Sequence, residues 1–108
     1  MIGSFEADTL QFENLDGYSF KERFEASTEP VMLDVRTPGE FHSGTIPGAI
    51  NIDIMSPAFR EEVLKMDKKK EYFVICRSGA RSGQACRWMV NEGFKVRNLH
   101  GGLFAWPE

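Results

Sequence analysis

Cysteine is scarce in this chain: Cys76 and Cys86 are the two present among 108 residues. Two cysteines cannot build the disulfide scaffold of a small secreted domain. If Arg81 opens a helix, Cys86 stands roughly 7 Å along it at ~1.5 Å per residue, and thiols so placed bridge poorly. Basic residues are not in surplus either. The net charge is −3 and the pI about 5.4. That balance excludes a broad nucleic-acid surface, which needs a clustered basic face. No stretch approaches the ~18 apolar residues of a membrane span. The opening MIGSFEADTLQFENL has no cationic start and no apolar run of the signal-peptide kind. These absences imply a reduced, cytoplasmic protein working away from membranes. There is also no internal repeat, low-complexity tract or linker. Hydrophobic residues make up 42% of the chain, enough for one core, and residues 1–108 have the length of a single domain.

Along the chain, a weak pattern suggests an edge strand around Thr9–Phe12. Ser19-Phe20-Lys21-Glu22 has capping-box spacing and predicts a short helix over Phe20–Ala26. Val31–Val35 is a β-branched apolar run and reads as a buried strand. Thr37-Pro38-Gly39-Glu40 is a second capping box, with Pro at the first helical position, opening a helix toward His42. Ala49–Ile52 is a short strand. Ser56-Pro57 begins a helix reaching about Met66, with Phe59, Val63 and Met66 on one face. Asp67–Glu71 is a charged turn, Tyr72–Cys76 the second strong strand, Arg81–Glu92 a helix with Gly93 just beyond it, and Lys95–Leu99 the last strand. Strands alternating with helices predict an α/β fold with a mostly parallel sheet. Reactive groups in such sheets gather at the carboxyl ends of strands. Cys76 lies at one such end; Asp34 and Arg36 lie at another.

The apolar Tyr72-Phe73-Val74-Ile75 stops at Cys76-Arg77-Ser78-Gly79-Ala80-Arg81, and a helical pattern follows at once. A thiol between a strand end and a helix start faces free backbone N–H groups, which stabilise a thiolate. An unperturbed thiol is only ~3% ionised at pH 7, and a fall of two pKa units needs ~2.7 kcal/mol. Successive amides and a helix N-terminus can supply that, at ~1.5–3 kcal/mol per charge-assisted bond. Gly79 and Ala80 let the backbone curl closely, Arg77 and Arg81 add positive charge, and Ser78 and Ser82 can donate hydroxyls. A cysteine ending an apolar strand can also be a small buried hydrophobe. The cationic loop favours the reactive reading. Arg77, Arg81 and Arg87 fall within eleven residues of one another, a local positive field suited to a small anionic substrate.

Three segments together resemble a single-domain rhodanese, the sulfurtransferase family. The first is Val31-Met32-Leu33-Asp34-Val35-Arg36 with Pro38, Glu40 and Phe41, then Gly44-Thr45-Ile46-Pro47-Gly48-Ala49-Ile50-Asn51. The second is Val74-Ile75-Cys76-Arg77-Ser78-Gly79-Ala80-Arg81-Ser82. The third is Gly93-Phe94, Val96, Asn98, Leu99, Gly101-Gly102 and Ala105-Trp106. The resemblance spans residues 30–106 and implies helices on both faces of the sheet. It also implies a persulfide relay. Cys76 takes the sulfane sulfur of a donor such as thiosulfate, releases sulfite, and passes the sulfur to cyanide or a thiol, in two half-reactions. Arg77, Ser78, Gly79, Ala80, Arg81 and Ser82 bind the donor and the persulfide, with the two arginines stabilising the leaving anion. No metal or organic cofactor is implied, and a protein sulfur donor or acceptor is compatible. Four residues separate Cys76 from Arg81; the related phosphatases and arsenate reductases of this fold place five there. The other readings are a persulfide carrier or regulatory module with little turnover and, less well supported, a phosphatase or arsenate reductase.

All of this requires Cys76 to be an exposed nucleophile ringed by amides and guanidinium groups. Asp34 and Arg36 read as structural supports of the site face, paired with each other or with loop backbone. The family's usual His falls at Thr45, so the chain departs there at a structural position. His42 reads as a surface helix residue, and His100 occupies a variable position. Cys86 lies with Ala85 and Met89 on a buried helix face. Phe104 and Trp106 are expected to close the base of the site or the core, and Lys68-Lys69-Lys70 a solvated turn.

Overall fold

The computed structural model describes residues 10–107. Thr9 therefore lies outside the described residues, and residues 10–12 are not strand. The edge strand is β1, Glu13–Leu15, and it pairs in parallel with the last strand through Leu15 and Leu99. Polar anchors decide this register: Arg97 donates to Glu13 at 2.9 Å, and the Asn98 amide donates to Asn14 at 2.8 Å.

Helix α1, Gly17–Ala26, begins three residues before the predicted start. Asp16, not Ser19, is its cap, accepting from the Ser19 amide at 2.9 Å. β2 is Pro30–Asp34. Val35 falls just beyond it but still donates its amide to the Ile75 carbonyl at 3.0 Å. α2, Pro38–His42, carries the predicted capping box in full, with Thr37 and Glu40 bonding each other reciprocally. β3 is Ile50–Asn51. α3, Phe59–Leu64, is shorter than the predicted run because the Ser56 hydroxyl accepts from the Ala58 amide and holds residues 56–58 in a turn. β4 is Glu71–Ile75, α4 is Ala80–Asn91 and β5 is Lys95–Leu99. Gly93, at φ +97°, closes α4. Its amide bonds Val90 and the Phe94 amide bonds Met89, with Phe94 and Met89 in one core cluster. A short 3-10 turn, Gly102–Ala105, follows β5.

The five strands run in the order β1-β5-β4-β2-β3, and every pairing is parallel. Side chains alternate along β4, so its two faces feed two cores. Tyr72, Val74 and Cys76 join Leu33, Val35, Phe59, Val63, Cys86 and Met89, beneath α3 and α4. Phe73 and Ile75 join Phe20, Met32, Ile46 and Leu99, beneath α1 and the 3-10 turn. Helices thus cover both faces, as an all-parallel sheet requires. The carboxyl ends of β2 and β4 sit side by side, with Asp34 opposite Ile75. That pairing brings the two chemically marked strand ends together. No helix of the described residues is long and apolar enough to cross a membrane.

Candidate active site

The cysteine loop leaves β4 directly over the 3-10 turn. The Leu103 amide donates to the Cys76 carbonyl at 3.0 Å. Gly102 makes this approach possible. Its φ is +76°, and a Cβ there would lie 1.8 Å from the Arg77 carbonyl oxygen and 2.6 Å from the Ser78 nitrogen. Gly79, at φ +97°, is the residue that turns the chain into α4. Its carbonyl accepts from the Gly83 amide at 3.0 Å and from the Asn98 side chain at 3.2 Å. Strand β5 therefore pins the start of α4 through a side chain.

Three groups donate to the Cys76 Sγ: the Gly79 amide at 3.1 Å, the Ser82 amide at 3.3 Å and the Ser82 hydroxyl at 3.3 Å. Burial pushes the Cys76 thiol up, but the Ser82 hydroxyl and the amides of Ser82, Gly79 and Ser78 outweigh it. The balance leaves the thiol below its ordinary value. Three of these donors are amides at the amino end of α4, where the helix dipole favours negative charge. Cys86 has the opposite fate. Burial raises its thiol far above the ordinary range, and the charge of Cys76 adds to the effect. Both cysteines are free and buried. The loop donors hold the first below its ordinary value, and the second is packed in the core.

One expectation is corrected here. Cys76 is not exposed: its accessible surface is 0%. The bonds that stabilise the thiolate come from a loop wrapped tightly enough to seal it, so stabilisation and exposure exclude each other in this conformation. Arg81 feels the Cys76 charge, but its main partner is a carboxylate. Its guanidinium grips Glu40 in a two-point bond, Nη1 to Oε1 at 2.8 Å and Nη2 to Oε2 at 3.0 Å. Glu40 is held for this by the Thr37 amide and hydroxyl, at 3.2 and 3.1 Å. Arg81 beside it, then Thr37, lowers the Glu40 carboxyl to about 2. Arg77, Ser78 and Ala80 form the exposed rim of the loop.

Asp34 and Arg36 form a buried pair beside the loop, with Nη2 to Oδ2 at 2.7 Å and Nε to Oδ1 at 2.9 Å. Arg36 also donates to the Gly44 carbonyl at 2.7 Å, and the Thr45 hydroxyl donates to Asp34 at 2.8 Å. Thr45 thus adds a fourth donor to the Arg36 amide, Nε and Nη2 that already reach the carboxylate. The Asn51 side chain donates to the carbonyls of both Asp34 and Arg36, at 2.9 Å each, and ties the strand ends together. His42 is exposed against Phe41, and His100 is exposed and lines a groove with Ser78, Gly79 and Ala80 of the loop. Trp106 lies in the core, edge-on to Phe20 and Phe24. Phe104 does not: it is 84% exposed. A 3-10 turn has three residues per turn, so Leu103 and Trp106 face the core together and Phe104 faces away.

The residues missed by spacing alone are Glu40 as the holder of Arg81, 41 positions away, and Asn98 as the anchor of Gly79. Glu40 was legible only as a helix cap. No linear pattern joins it to Arg81.

Comparison with known proteins supplies the remaining observations. The family model described as Rhodanese-like domain matches residues 18–108. A Bacillus subtilis protein, named provisionally a sulfurtransferase, is 37% identical over 97 residues, covering 90% of this chain and 92% of its own. A protein of Allochromatium vinosum named Sulfurtransferase is 34% identical, with 85% of each chain covered. The crystal structure of a rhodanese-related protein from Thermoplasma volcanium superposes with a TM-score of 0.76 at 30% identity, covering 88% of this chain and 90% of that one.

Proposed function

Since the chain belongs to the rhodanese-like domain family, whose relatives here are named sulfurtransferases, we propose that it transfers sulfane sulfur through a persulfide on Cys76. The observation that carries this reading is the triple donation to Sγ, which depresses the thiol's pKa in spite of full burial. A thiolate is a nucleophile without a general base, so the reading requires no histidine at the sulfur.

In the first half-reaction the Cys76 thiolate attacks the outer sulfur of a donor such as thiosulfate. A new S–S bond forms, the donor's bond to that sulfur breaks, and sulfite leaves with the electron pair. In the second half-reaction a thiol or cyanide attacks the outer sulfur of the persulfide and restores the thiolate. The amides of Ser78, Gly79 and Ser82 that reach the sulfur cradle the persulfide, with Ala80 and Arg81 completing the loop, and the exposed Arg77 meets the incoming anion. Donor entry requires the rim at Arg77, Ser78 and Ala80 to part.

The sealing of Cys76 favours a second reading, a persulfide carrier that loads from a protein donor and does not turn over small molecules. Intact mass after thiosulfate treatment tests the first reading. The expected result is one added sulfur on Cys76 that reductant removes, with thiocyanate released on addition of cyanide. Loading without turnover selects the carrier. No adduct from thiosulfate, from an alkyl persulfide or from a protein-bound persulfide overturns both.

A further inference from the structure

Four guanidinium groups flank the cysteine loop: those of Arg36, Arg77 and Arg81, and that of Arg87, which lines a groove with Ser78, Gly79 and Ala80. Two are already matched by carboxylates. Arg36 holds Asp34, both buried, and Arg81 holds Glu40, both about 29% exposed. Against these four positive charges stand the two carboxylates and, once ionised, the Cys76 thiolate. Asp53 adds a further negative charge toward Arg81. Before any donor arrives, the site is close to neutral.

The geometry points to Glu40 as a specificity-determining residue that masks Arg81 and so biases the site against dianionic donors and toward organic persulfides. This deepens the sulfur-transfer reading and rests on it. Thiosulfate brings two negative charges to a thiolate and leaves as sulfite, again doubly charged. An alkyl persulfide brings one or none. With the neutral form, the Cys76 thiolate attacks the terminal sulfur, the new S–S bond forms, the old one breaks, the proton stays on the transferred sulfur, and an alkyl thiolate leaves with the electron pair and the one negative charge; with the anionic form the persulfide on Cys76 keeps a second charge. Charge is conserved in both routes, but only the thiosulfate route gathers three negative charges in one pocket. That gathering needs unmatched cations, and Arg81 is not one. Glu40 is held in this role from two sides, by Arg81 and by the Thr37 cap. Its low pKa keeps the pair intact at any ordinary assay pH.

Glu40→Gln tests this with little risk to the fold, because Gln completes a capping box as Glu does. Sulfur loading of wild type and variant is measured with thiosulfate and with an alkyl persulfide as donors. Wild type should favour the persulfide in kcat/KM. In Glu40→Gln the ratio should move toward thiosulfate by about tenfold, through KM, the size expected when one partly screened charge is unmasked. Arg81→Met should move it the other way, since it leaves Glu40 uncompensated. A merely structural role would depress both donors together. Alkylation of Cys76 by iodoacetate and iodoacetamide, one anionic and one neutral, gives a readout that needs no sulfur transfer. The iodoacetate-to-iodoacetamide ratio should rise in Glu40→Gln. Unmoved ratios in both assays, in folded variants, would overturn the inference while leaving sulfur transfer standing. If neither donor loads Cys76, the sulfur-transfer reading fails, and the role of Glu40 as a specificity determinant fails with it.

Discussion

Ser82 reaches the Cys76 sulfur twice, through its hydroxyl and through its own amide, each at 3.3 Å. Five residues separate them in the chain, the span of one tight loop and the first turn of α4. Both residues have 0% accessible surface. The hydroxyl therefore has no water to turn to, and its bond to the sulfur is the main force opposing the burial that would otherwise keep the thiol neutral.

Replacing Ser82 by Ala should raise the midpoint of Cys76 ionisation by about one unit or more, because one charge-assisted bond is worth ~1.5–3 kcal/mol and a pKa unit ~1.4. The rate of iodoacetamide reaction across pH reads this directly. An unmoved midpoint would remove the hydroxyl from the thiolate's support.

Cys76→Ser should keep the fold and lose all sulfur loading by intact mass. It should also change how stability depends on pH. The folded thiol titrates below its unfolded value, so ionisation favours the folded state. This contribution is fully present above the unfolded thiol's value near 8.5 and is lost as pH falls through the folded value. Wild type should gain stability over Cys76→Ser as pH rises across that window. Cys86 is the same in both proteins and cancels. A parallel pair of melting curves would contradict the lowered thiol.

Gly102→Ala should displace the loop, because its Cβ would fall inside the Arg77 carbonyl. At a φ of +76° it is strained as well. A loss of at least ~2 kcal/mol is expected from strain and clash together. The Cys76 midpoint should rise too, since the amides leave the sulfur. Denaturant melts and alkylation profiles measure the two effects. Wild-type values for both would mean the turn does not bear on the loop.

Asp34→Asn should cost ~3–5 kcal/mol, since Arg36 is left buried without its counter-charge. Chemical denaturation checks the magnitude. A loss below ~1 kcal/mol would show that the Gly44 carbonyl alone can hold Arg36.

Much of the fold was legible in short-range patterns. The Thr37 to Glu40 box appears as read, because a cap is a contact between residues three apart. Lys95–Leu99 and the close of α4 at Gly93 also appear as read. The start of α1 was misplaced because Asp16 and Ser19 both suit a cap, and only the packing of Gly17 against the Ala105 carbonyl selects the earlier one. Phe104 was assigned inward on hydrophobicity, which says nothing about the side of a turn it faces.

Chain order alone determined that a thiol ends an apolar strand and opens onto a small-residue loop and a helix. Those are neighbours along the backbone, and local sterics and amide geometry follow from them. The three-dimensional packing decided the rest. It sealed Cys76, bound Arg81 to a carboxylate 41 positions earlier, and set Asn98 and Gly102 against the loop from β5 and the turn beyond. These are contacts between distant segments, fixed by which parallel strands lie side by side, and no spacing within one segment can express them.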